Sequence, residues 1–168
     1  MSKINGIYAA SVSILDENLK LDIHKTIRHA ENLIKSGCHG VVIFGSTGQS
    51  QLISLEEKFE LIQNISKSIF KDKFIIGTGL NSLQDTISLI KISNSYNFNN
   101  FLIMPPAYYM YEDKDVIRFY IKLIEKLSNC KIILYNFEKL SGYKFSKESV
   151  EKLVSLFPEN IIGVFHVR

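Results

Sequence analysis

Six short apolar, β-branched runs recur along the chain at intervals of roughly thirty residues, the length of one strand-plus-helix unit. They are GIYAASV near the start, GVVIF at Gly40 to Phe44, FIIGT at Phe74 to Thr78, NFLIM at Asn100 to Met104, KIILY at Lys131 to Tyr135 and IIGVF at Ile161 to Phe165. Each is apolar throughout rather than alternating, which suits strands buried on both faces in a parallel sheet. Helical patterns fill the intervals. Apolar residues at Ile23, Ile27, Ala30 and Ile34 mark one face of a helix over Leu21 to Ser36. Ser54 with Glu57 three residues on is a capping box, and Ser82 with Asp85 is its acidic variant. DKDVIRFYIKLIEKL and SKESVEKLVSLF complete the set; Gly37 stands at a C-cap position and Pro158 stops the last helix.

The order is therefore βα five times, then a sixth strand, in one domain over residues 1–168 with no linker or low-complexity stretch. An open doubly wound sheet and part of a (βα)8 barrel both fit. A full barrel takes about 250 residues. The 168 residues here supply a little more than half of one.

Composition narrows the function classes. A net charge of +3, with lysines scattered along helical stretches, gives no basic block for nucleic acid. No run reaches the ~18 apolar residues that span a membrane, and the N-terminus MSKINGIYAAS shows no signal peptide, so a cytoplasmic protein is expected. Cys38 and Cys130 are far apart and beside apolar runs, and are expected to be reduced core thiols. His24 and His29 do not align as a ligand pair, so no metal and no cofactor is expected.

In parallel α/β proteins the loops after the strands build the site. After the second strand, FGSTGQS offers Gly45, Ser46, Thr47 and Gly48: glycines for a tight turn, hydroxyls and backbone N–H groups for a carboxylate or phosphate. A turn that only caps a helix is the alternative. After the fourth strand, PPAYYMY brings Tyr108, Tyr109 and Tyr111, which can relay protons or simply pack. After the fifth, YNFEKLSG begins with Tyr135, aimed at the barrel mouth or held in the core.

Taken together, GIYAASVSILDENLKLD, GVVIFGSTGQSQLISLEEK, IIGTGLNSLQDTISL, MPPAYYMYED, ILYNFEKLSG and NIIGV resemble the dihydrodipicolinate synthase / N-acetylneuraminate lyase superfamily of class I pyruvate-dependent aldolases, in order and spacing over essentially the whole chain. The resemblance implies a partial TIM (βα)8 barrel and lyase chemistry on pyruvate or a 2-keto (sugar) acid through a lysine Schiff base. It further implies that Ser46 and Thr47 hold the keto-acid carboxylate, that Tyr135 shuttles protons beside Ser46, and that Tyr108, crossing a dimer interface of a homo-oligomer, completes with them a catalytic triad that moves protons.

The departures from the family pattern also carry expectations. Leu140 stands where dihydrodipicolinate synthases place an arginine for the second substrate's carboxylate, and Glu138 where a proline is common. Both point away from lysine biosynthesis, and LSG at Leu140 to Gly142 and Ser46 in GSTG toward the sialic-acid-lyase side. Phe165 occupies the place of the Schiff-base lysine, and phenylalanine has no amine. Lys139 and Lys144 lie in the loop after the fifth strand, where a solvated amine near ~10.4 is protonated at neutral pH. The expectation is an inactive chain whose reading frame is interrupted at FHVR. The alternatives are a non-catalytic, keto-acid-binding or self-associating half-barrel, and a complete flavodoxin-like sheet. Sequencing the gene beyond codon 168 tests the interruption; an in-frame stop with no barrel-like code in any frame counts against it.

Overall fold

The computed structural model describes residues 4–127 and 129–167. Its elements run β1 (Tyr8–Ala10), α1 (Ile23–Lys35), β2 (Gly40–Ile43), α2 (Leu55–Ile65), β3 (Phe74–Gly77), α3 (Leu83–Ser95), β4 (Asn100–Ile103), α4 (Asp113–Ile124), β5 (Lys131–Asn136), α5 (Glu138–Ser141), α6 (Lys147–Leu156) and β6 (Ile161–His166). The six strands pair in parallel and in sequence order. They curl into a half-barrel with the helices outside, so the flavodoxin-like alternative, which reorders its strands, is set aside.

Ladder register sorts the side chains onto two faces, because neighbours across a parallel ladder point the same way. Ala10, Val42 and Ile75 share a row, as do Leu102, Ile133 and Gly163. This is the concave face, and its apolar cluster is Ile75, Leu102, Met104, Ala107 and Tyr135. Val41, Ile43, Phe74, Ile76, Phe101, Ile103, Ile132 and Leu134 face the other way, into the larger cluster shared with the helices. A strand with apolar neighbours on both sides must itself be apolar throughout, as the six runs are. One irregularity interrupts the ladders: between Ile132 and Ile133 the register to β6 jumps from Ile161 to Gly163, a bulge that inserts Ile162.

The helices start where their caps place them. Asp22 accepts from the Lys25 N–H, and Ser54 and Glu57 form the full reciprocal box. For α3 the structure shows the forward arm, Asp85 N–H to Ser82 Oγ at 3.2 Å, without the return bond. Gly37, at φ +107°, closes α1 in the left-handed conformation that glycine tolerates best. Fully buried Tyr120 donates to the Ile103 carbonyl at 2.8 Å and fastens α4 to β4. Cys38 and Cys130 are free thiols; Cys130 is buried, but Cys38 is half-buried at the edge of the core, because it follows α1 in the connection to β2. Among the described residues no helix is long and apolar enough to cross a membrane.

Gly77 closes β3 against the end of β2. A Cβ there would run into the carbonyl of Phe44, which is backbone and cannot step aside, whereas a Cβ on Gly163 would meet nothing. Gly77→Ala is therefore expected to destabilise the fold by about 1–3 kcal/mol, and Gly163→Ala to change it by less than about 0.5 kcal/mol. Urea unfolding of the two variants against the parent checks the contrast.

Candidate functional site

The chain leaves β2 through a strained loop. Phe44 and Gln49 both hold left-handed backbone, φ +55° and +48°, a conformation disfavoured for residues with a Cβ. They bracket Gly45 to Gly48 and fold the segment back on itself. Gln49 N–H donates to the Ser46 carbonyl at 3.0 Å and Ser50 N–H to that of Gly45 at 3.4 Å. Such geometry persists only when its surroundings over-determine it. Here Ser13 Oγ donates to the Gly48 carbonyl at 2.6 Å, and Ser50 Oγ to the Thr78 carbonyl at 3.1 Å.

The loop delivers Ser46 to the tip of β5. Ser46 Oγ and Tyr135 Oη lie 2.8 Å apart, joining residues 89 positions distant in sequence. Either hydroxyl can donate, so the pair can pass a proton in either direction. Tyr135 is buried, 7% exposed, and its ring packs against Phe137 at 5.9 Å and Phe165 at 5.6 Å between centroids. Register pairs Tyr135 with Phe165, so the two side chains stand together on the concave face.

The hydroxyl pair borders two cavities. The larger, about 560 Å3, is the hollow of the half-barrel, lined by Tyr8, Val42, Thr47, Ile133 and Phe165 among others. The smaller, about 280 Å3, lies toward the outer loops against Gln49, Leu52, Met104 and Leu140. Gly45, Ser46, Leu102 and Tyr135 belong to both walls. Among the described residues the N–H groups of Ser46 and Thr47 donate to no protein acceptor. Two such donors in a glycine-flanked turn form a concavity suited to an anion.

Of the residues singled out in the sequence, Ser46, Thr47, Tyr135 and Phe165 are thus gathered at the hollow. Tyr108 is not: it is 89% exposed, lines neither cavity and stacks edge-on against Tyr109, with centroids 5.1 Å apart. Leu140 and Glu138 sit on α5, a single turn of helix where the sequence suggests only a loop.

Lys58 carries no signal of chemistry in the sequence, yet its side chain is fully buried. Its Nζ donates to the carbonyls of Ser50 at 2.6 Å and Ile53 at 3.1 Å. Burial pulls its ammonium down to about 8, against the opposing pull of the Glu57 carboxylate. Periodicity holds the clue: Lys58 lies on the same helical stripe as buried Leu61, Ile62 and Ile65. Asn136 is a second such residue, buried beside β6 with its Nδ2 3.0 Å from His166 Nδ1 and its Oδ1 accepting from the Phe145 N–H at 3.3 Å.

The chain matches the Dihydrodipicolinate synthetase family over residues 3–166. A 4-hydroxy-tetrahydrodipicolinate synthase of Karelsulcia muelleri is 28% identical over 98% of this chain and 55% of its own length. A probable mitochondrial 4-hydroxy-2-oxoglutarate aldolase of Emericella nidulans is 29% identical over 95% of this chain and 53% of its own. The crystal structure of a chloride-inhibited dihydrodipicolinate synthase from Acinetobacter baumannii, complexed with pyruvate, superposes with a TM-score of 0.87 at 26% identity, over 98% of this chain and 56% of that one. The chain spans about half the length of the curated relatives it matches. It belongs to the Dihydrodipicolinate synthetase family.

The contact between Ser46 and Tyr135 is measurable without any ligand. In a double-mutant cycle of Ser46→Ala and Tyr135→Phe, urea unfolding is expected to return a coupling of about 0.5–1.5 kcal/mol, the ordinary net worth of one hydrogen bond.

Proposed function

We propose that this member of the Dihydrodipicolinate synthetase family grips the carboxylate of pyruvate or a related 2-keto acid at Ser46 and Thr47, in a site of the Schiff-base lyase type, and that this chain does not itself form the imine. The observation that carries the reading is the 2.8 Å contact between Ser46 and Tyr135 at the lip of the concave hollow. A carboxylate seated on the N–H groups of Ser46 and Thr47 would place the adjoining carbonyl carbon beside the Tyr135 hydroxyl. Tyr135 would then move protons to and from that carbonyl, with Ser46 as the second station of the relay. The pyruvate complex of the Acinetobacter relative supports the choice of ligand.

Class I chemistry requires an unprotonated amine at the keto carbon. Beside Tyr135 on the concave face stands Phe165, whose ring offers no nucleophile. Lys139 and Lys144 are exposed and line a separate small cavity with Asn136 and His166, which shares neither Ser46 nor Tyr135 with the hollow. Lys58 is depressed toward a reactive range, but it is sealed and two of its three donors are spent on backbone carbonyls. For the second substrate, no arginine or lysine among the described residues lines the smaller cavity, and Leu140 stands at its rim. That wall supports a partner aldehyde without a carboxylate, in line with the sugar-acid branch of the superfamily.

A second reading draws on one further observation. Ile162, Val164 and Phe165 of β6 are each 42–51% exposed, in an apolar strand with one ladder partner among the described residues. Such an edge favours pairing with another copy. Sedimentation velocity tests it, with a concentration-independent monomer as the result against it.

Incubation with pyruvate and borohydride, read by intact mass, is expected to leave the parent chain unmodified and to give a reduced pyruvyl adduct in Phe165→Lys. An adduct on the parent would overturn the assignment of Phe165. Pyruvate titrated against the 15N-labelled chain is expected to move the amides of residues 45–48, and Ser46→Ala to weaken binding about tenfold, equivalent to one hydrogen bond. Unmoved amides would sink the carboxylate site.

A further inference from the structure

Lys58 plays no part in that chemistry, and it occupies an expensive position. An alkyl side chain on the same stripe of α2 would fill the space without desolvating a charge. It would not supply donors, and every polar contact of the Lys58 ammonium goes to one segment. Its two hydrogen bonds end on the Ser50 and Ile53 carbonyls, and its Nζ lies 5.7 Å from the centroid of the Phe44 ring. Phe44 opens the loop after β2 and Ile53 closes it, so one ammonium touches both ends of the segment that carries Ser46 and Thr47.

We infer that Lys58 is a positioning residue: it ties the Phe44–Ile53 loop to α2 and thereby sets Ser46 at hydrogen-bond distance from Tyr135. The loop needs such a tie. Two of its residues hold left-handed backbone, which relaxes unless contacts prevent it. Bonds from an ionised donor are shorter and stronger than neutral ones, and one buried cation here holds two carbonyls: that of Ser50, which also accepts from the Ile53 N–H at 3.3 Å, and that of Ile53, for which Lys58 is the donor among the described residues. The tie also extends to β3. Ser50, whose carbonyl Lys58 takes, donates its Oγ to the Thr78 carbonyl, and its side chain fits only because Gly79 has no Cβ. Lys58, Ser50 and Thr78 thus form a brace from α2 through the loop to the strand beside it.

The brace is sensitive to pH in a defined direction. Burial lowers the ammonium to about 8, so the charge is present in neutral solution and is lost in mild alkali. Glu57 is the charged group that acts on it; the loop presents carbonyls and the end of β2 presents an aromatic ring. Loss of the proton weakens both bonds and the attraction to Phe44 together.

The consequence for ligand affinity rests on the keto-acid reading; the consequence for loop geometry does not. Both are read in one set of 15N–1H spectra from pH 6 to pH 9.5, on the parent chain, Lys58→Met and Lys58→Gln, with and without pyruvate. In the parent, the amides of residues 45–50 are expected to titrate with a midpoint near 8. In Lys58→Met the same amides should be displaced at every pH and show no such inflection, and pyruvate affinity should fall about tenfold. Lys58→Gln, which keeps an N–H donor without the charge, should restore part of that affinity and none of the inflection. A Lys58→Met chain with a lower melting temperature but unmoved 45–50 amides and parental pyruvate affinity would overturn the inference, since that is how a merely structural lysine behaves. Should Lys58→Met fail to fold, the parent titration decides: no inflection near 8 refutes the brace. If the parent binds no pyruvate, the keto-acid reading falls, and the ligand-free titration still judges Lys58.

Discussion

The hydrogen bond between Ser46 and Tyr135 exists only because the sheet curls. β2 and β5 are separated by two strands. Across a flat sheet their tips would lie about 14 Å apart, three ladder spacings. A serine and a tyrosine standing roughly normal to such a sheet could not bridge that gap. In the half-barrel the inward side chains converge, and the same two residues meet at 2.8 Å. The site is a property of curvature before it is a property of any one motif.

Curvature in turn depends on how the two faces are filled. Helices α1 to α4 and α6 back the convex face, where Leu61, Ile62, Leu89, Ile90 and Leu123 are fully enclosed. The concave cluster is much smaller, and its walls open onto a hollow of about 560 Å3. Packing is therefore dense outside and sparse inside, and the sparse side is where a ligand has room. Residues at strand tips inherit precision from the dense side. Gly77 admits the Phe44 carbonyl, Gly48 sits under the Ser13 hydroxyl, and Lys58 reaches up from α2. Strain stored at Phe44 and Gln49 is offset by these contacts.

Much of the architecture was legible in the sequence, because it is periodic. Apolar runs at one-unit spacing gave parallel strands; Ser54 with Glu57 and Gly37 marked helix ends that the structure shows in place. What escaped was aperiodic or concealed by residue type. α5 spans Glu138–Ser141, too short to display a helical period. The bulge at Ile162 follows from strand geometry near β5, with no compositional mark. Lys58 was hidden by its charge, since lysine ordinarily reads as surface. The encounter of Ser46 with Tyr135 came from likeness to a family rather than from pattern. Nothing local in FGSTGQS or YNFEKLSG says that two segments 89 residues apart will touch.

The chemistry of amines gives the arrangement its sharpest meaning. An amine that attacks a keto carbon must satisfy two conditions: it must lose its proton near neutral pH, and it must reach the substrate. Desolvation supplies the first and a cavity wall supplies the second, and in an imine-forming site one lysine meets both. Here the two conditions are separated. Lys58 has the depressed ammonium, brought to about 8 by burial, and no access. The position beside Tyr135 has access, open to the hollow, and holds the hydrocarbon ring of Phe165. Moving an amine to residue 165 would place it at the partly apolar wall, beside the Tyr135 ring, with access to the hollow and more solvent around it than Lys58 has. On the proposed keto-acid reading, the relay of Ser46 and Tyr135 would then have a carbinolamine to serve, whereas with phenylalanine at that place the same hydroxyl pair would bind and orient.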